Sequence, residues 1–165
     1  MADPYVGPIL DEIVTIMVAN FNTELDLIDS NLPDWNVTSF TKGLDPWQGD
    51  LGFPHLMVFP FGSSSMNSQF ETSPNFEATW RIATIISAVA NSGQELQEWL
   101  DKYGTAMIKT IVAGTSGNAW TLNQKVDFID LIEVAFNDFF GEESQQIAGA
   151  YFAIWEARIL HDPTA

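Results

Sequence analysis

Two histidines, His55 and His161, are the side chains whose ordinary pKa lies nearest neutrality. A general base or an imidazole-held metal would be built on one of them. No His-x-x-x-His or similar spacing accompanies either, so nothing sets up a histidine metal site. Cysteine is absent, which excludes disulfides, thiolate catalysis and Cys-held zinc. The run Gly62-Ser63-Ser64-Ser65 lacks the Gly-x-Ser-x-Gly elbow that exposes a serine nucleophile, and it has no suitable His partner. Glu24, Asp26 and Asp29 cluster, and Asp45 and Asp50 flank Trp47. Neither group has the spaced oxygen ligands and central glycine of a calcium loop, so each reads as a solvated acidic surface. Gly114-Thr115-Ser116-Gly117 follows a helical pattern and lacks the lysine of a phosphate loop, and there is no dinucleotide fingerprint. The expectation is a non-enzyme with no catalytic, cofactor-binding or metal-binding residue.

Charge narrows the choice of partners. Against 22 acids stand six bases, giving a formal charge of −16. The bases Lys42, Arg81, Lys102, Lys109, Lys125 and Arg158 are scattered, so no basic patch can neutralise phosphates. Such a chain repels DNA and anionic membrane, and specific nucleic-acid binding is not expected. Hydrophobic residues make up 46% of its 165 residues, with six Trp and twelve Phe, enough for one domain with a real core. Met1-Ala2-Asp3-Pro4 lacks the basic region of a signal peptide, and the apolar stretches are broken short of a membrane span. The reading is a soluble protein made in the cytoplasm.

The elements follow from periodicity. Leu10, Val14, Met17, Val18, Phe21, Leu25 and Ile28 recur at three- and four-residue steps behind Pro8, predicting an amphipathic helix over about 8–30. Residues 31–54 read as a long connection broken by Pro33, Gly43, Pro46, Gly49, Gly52 and Pro54. Trp35, Phe40, Trp47 and Phe53 ride on it, either pinning it to the core or offering a contact surface. His55 to Phe59 reads as a strand ended by Pro60, followed by a polar tip and a possible returning strand at Phe70–Ser73. From Asn75 to Val89, Phe76, Ala78, Trp80, Ile82, Thr84 and Ile86 point to one face and Glu77, Thr79 and Arg81 to the other, with both faces apolar after Ile85, the clearest strand in the chain. Ser92 and Glu95 form a capping box for a second amphipathic helix over about 93–112, with Leu96, Leu100, Tyr103, Met107 and Ile111 on one face. Lys125 to Phe140 fits a helix period and a strand period equally well, whereas Ile147 to Ile159 alternates as a strand. The fold class expected is α/β (α+β), with a mainly antiparallel sheet packed by two long amphipathic helices.

This order of elements resembles the tail terminator proteins of tailed bacteriophages, and more loosely their other neck and tail-completion proteins. The likeness rests on the opening helix Pro8 to Ile28 with the short strand after it, on Phe76–Ile86 leading into Gly93-Gln94-Glu95-Leu96 and a helix with Tyr103, and on the closing pair Val126–Phe136 and Ala148–Ile159. It covers most of the chain as a pattern and has no diagnostic motif. It tips 125–137 toward strand. It implies a virion protein, made in the host cytoplasm. Its copies close into a homohexameric ring that caps the tail tube, stops polymerisation and joins the tube to the neck. DNA passes through such a ring, and an acidic lumen lets it slide. Trp35, Trp47, Phe59, Phe61 and Phe70 are the candidate interface residues. Two readings from other classes stand beside it. One is an acidic decoy that binds a basic partner by mimicking phosphates, which needs carboxylates gathered on one convex face. The other is a small-molecule module with aromatics lining a pocket.

Overall fold

The computed structural model describes residues 6–30, 36–43, 53–68, 76–114, 121–122, 125–140 and 147–161. Helix α1 (Val6–Ile28) is followed by strands β1 (Ser39–Lys42), β2 (His55–Ser68) and β3 (Phe76–Ala90). Helix α2 (Gly93–Gly114) then leads to β4 (Phe128–Phe140) and β5 (Ile147–His161). The strands form one five-stranded sheet in the order β1-β2-β3-β5-β4. Every pairing is antiparallel except that of β1 with β2. The fold is therefore α+β. Among the described residues, no helix is long and apolar enough to cross a membrane.

Both helices pack on the same face of the sheet. Ile9, Ile13, Met17, Phe21 and Leu25 of α1 and Leu96, Leu100, Tyr103, Met107 and Ile111 of α2 are buried in one cluster with Leu56, Ile82, Ile86, Trp155 and Ile159. Phe21 stacks on Tyr103 and meets Phe40 edge-on, so β1 joins the same core. That four-residue strand is absent from the sequence reading, which left 31–54 as a connection. Its span is too short to show a period. It is held from α1 by Asn22, which donates to the Val37 carbonyl at 2.9 Å and accepts from the Val37 amide at 2.8 Å. The other sheet face carries a second apolar cluster, Ala83, Ile85, Ala150 and Ile154 with half-buried Phe59 and Phe152, to which no helix residue belongs.

Three local expectations need correction. Pro60 does not end its strand, because β2 runs on to Ser68 along β3. Register shifts at Pro60/Gly62 and Ser63/Ser65 absorb the missing amide donor, and Gly62 sits at φ 138°, open only to glycine. The polar tip therefore shrinks: residues 61–68 lie in the ladder, while 69–75, with the expected strand at Phe70, lie outside the described residues. At the start of α2 the Ser92 hydroxyl accepts from the Glu95 amide at 3.2 Å, as a capping box requires. The Glu95 carboxylate, however, accepts from the Asn91 amide at 3.1 Å rather than from Ser92.

β4 resolves the ambiguous segment as strand. Its register with β5 shifts between Leu131 and Glu133. Ile129 and Leu131 oppose Ala157 and Trp155 on the helix side, whereas beyond the bulge Val134 and Phe136 take that side opposite Ala153 and Tyr151. One extra residue thus changes the parity of the alternation. Apolar positions that break period two come to fit a period near 3.6, which is why the sequence read both ways.

Candidate functional site

β4 is an edge strand, so among the described residues the backbone groups along its outer side have no ladder partner. Among the described residues eight large hydrophobic side chains are exposed, and four of them, Phe128, Ile132, Val134 and Phe136, lie on this strand. An edge bearing an exposed apolar row is a template for another chain. The remaining exposed four are Val18, Leu27, Phe53 and Phe61, which lie apart in sequence. The short edge strand β1, by contrast, is shielded by a charge: Lys42 pairs with Asp11 of α1.

The charged residues of β4 itself are all acidic, while Arg158 of β5 stands opposite Phe128. Asp130 and Glu133 are exposed on the strand itself. Asp130 stands opposite Glu156 of β5, a like-charge cross-strand pair, with Arg81 facing Glu156 from β3. On the helix side a cleft of about 350 Å³ opens between α2 and β4, lined by Gln94, Gln97, Glu98, Asp101 and Phe136. The helical spacing of these α2 residues places them on one face. Gln94 donates to Glu98 at 3.3 Å. Beneath the cleft, Tyr151 meets Phe136 edge-to-face at 4.8 Å. Burial pushes the Tyr151 phenol above its ordinary pKa, and the nearby Asp101 carboxylate adds to the rise. Glu98, Asp101, Asp130 and Glu133 form no ion pair among the described residues.

Of the five interface candidates read from the sequence, Trp35, Trp47 and Phe70 lie outside the described residues. Phe59 is half-buried against the second apolar cluster. Phe61 is 61% exposed and remains available. The four exposed β4 side chains were not among the sequence candidates. The available signal was the concentration of aromatics and aliphatics between acids at 127–140, which the sequence reading spent on deciding helix against strand.

His55 is placed in a setting that its sequence position did not suggest. It is 4% exposed, its Nδ1 lies 2.7 Å from the Ser39 hydroxyl and its Nε2 lies 3.0 Å from the Thr41 hydroxyl. Burial lowers its pKa. The ring thus fastens β1 to β2, and among the described residues its nitrogens meet hydroxyls and no carboxylate. Among the described residues no group of His, Asp and Glu side chains could hold a metal. The chain matches no family model, and no curated protein matches it.

Proposed function

We propose that this chain is a structural assembly subunit, a ring-forming tail terminator that caps a phage tail tube, stops its growth and joins it to the neck. The observation that carries the reading is the β4 edge: a strand paired on one side alone among the described residues, holding half of their exposed large hydrophobics. Burying apolar surface at about 25 cal/mol per Å² gives such a row a reason to be covered. The two long amphipathic helices of the expected fold keep to one sheet face and leave this edge clear. The family resemblance supplies ring closure, the count of six and the virion setting. The charge of −16 suits a bore through which DNA slides. The working chain acts without catalysis or cofactor.

The experiment is a pair of serine substitutions at exposed positions, Phe128→Ser and Ile132→Ser. Loss of co-sedimentation with tail-tube or neck protein, with the circular dichroism spectrum and melting temperature kept within a few degrees, is the expected result. Unchanged co-sedimentation would remove β4 from the account.

A further inference from the structure

We infer that the β4 edge takes an extended, basic segment of a different protein, which adds as a sixth strand and seats a lysine or arginine in the cleft between α2 and β4. The inference rests on the reading of β4 as an interface and names the chemistry of what covers it.

Three features converge on this occupant. Strand addition satisfies the open backbone edge from Phe128 to Phe136, and alternate side chains of an added strand fall on alternate faces. A strand added about 4.8 Å outside β4 extends the sheet face on which the cleft opens. Its helix-side residues then point toward Glu98 and Asp101, with the half-exposed Phe136 ring as an apolar floor. A lysine or arginine stem covers that ring while its head reaches the carboxylates, the usual division of such side chains. On the other face Asp130 opposes Glu156 across the β4–β5 ladder, but Arg81 of β3 faces Glu156 and Arg158 stands two residues along β5, so the cation of the added strand is seated on the helix side.

A second copy of this chain is the poorer occupant. Pairing β4 with another β4 sets Asp130 and Glu133 of one copy against the same acids of the other. The chain has six bases to offer, and Lys42 and Lys102 already pair with Asp11 and Asp29. A partner rich in lysine or arginine offsets the acids that a copy would double.

The test uses the full chain and a blocked nonapeptide of alternating valine and lysine as the probe. Binding is followed by amide chemical shifts at low and at physiological salt. The expected result is saturable binding with shifts concentrated at 128–136, weakened by about tenfold or more on raising the salt. Two companion peptides separate the causes. One carries glutamate for lysine; the other is N-methylated at every second residue, which removes the ladder donors and keeps the charge. Both should bind at least about tenfold more weakly. Glu98→Gln with Asp101→Asn, both on the exposed face of α2, should cost about three- to tenfold in affinity. No saturable binding, equal binding of the glutamate peptide, or equal binding of the N-methylated peptide would each overturn the inference. So would protection of β4 amides by self-association alone. A ring that forms while the peptide fails leaves the assembly reading standing; a bound peptide on a chain that forms no ring does the reverse.

Discussion

Gly104 on α2 offers a sharp quantitative test of the packing that presents the cleft. A Cβ added there would lie 2.4 Å from Cε2 and Cζ of Tyr151. Carbon atoms prefer about 3.5–4.0 Å, so either the ring or the helix must retreat by about 1 Å. Tyr151 is 6% exposed and is braced by Phe136, so its ring has little room to yield. Two effects of Gly104→Ala oppose each other. Alanine in a helix interior gains about 1 kcal/mol over glycine. Forcing a methyl into a packed site costs about 1–3 kcal/mol, at the upper end here because the contact is with a ring held on several sides. The net expectation is a loss of about 1–2 kcal/mol. With a urea slope of about 1–3 kcal/mol/M, the unfolding midpoint falls by about 0.5–1 M, read by tryptophan fluorescence. In a Tyr151→Leu background the clash is gone, and the same substitution should stabilise by up to about 1 kcal/mol. A midpoint that rises in the unmodified chain, or moves equally in both backgrounds, would refute the close approach of α2 to β5.

Other expectations follow from single contacts. Trp155 is buried and its Nε1 donates to the Thr84 hydroxyl at 3.0 Å, so Thr84→Val should cost about 1–3 kcal/mol by stranding that donor, measured by thermal melting. His55 has a lowered pKa, so its neutral form is favoured in the fold. Its contribution is whole above the unfolded value of about 6.5 and is lost as pH falls from there through the lowered folded value. The stability gap between the parent and His55→Gln should therefore narrow as pH is lowered through that window; a gap constant from pH 8 to pH 5 would contradict the assignment.

What the sequence made legible follows the length and regularity of each element. Both helices were placed within two residues of their observed ends, because each holds five or more turns of repeating apolar residues. β3 was equally plain, since Trp80, Ile82, Thr84 and Ile86 keep strict alternation beneath the helices. Its neighbour β2 was cut short at Pro60 because a proline's lost donor is visible in sequence, while the bulge that accommodates it depends on the partner strand. β1 escaped notice because four residues between Pro33 and Pro46 carry too little pattern, and its strength comes from Asn22 and His55, distant in sequence. The β4 edge was hidden for a related reason. Only strand order tells an edge from a centre, and strand order is a long-range property.

The central claim is closed assembly, and native mass spectrometry of the purified chain across a salt series tests it most directly, with imaging of any species found. With 22 acids against six bases, like charges oppose association, and screening lowers that cost. The account predicts that a discrete closed species, six copies by the family resemblance, grows in as salt is raised and shows an acidic bore. A monomer or dimer at every salt, even with tail-tube protein present, would contradict it.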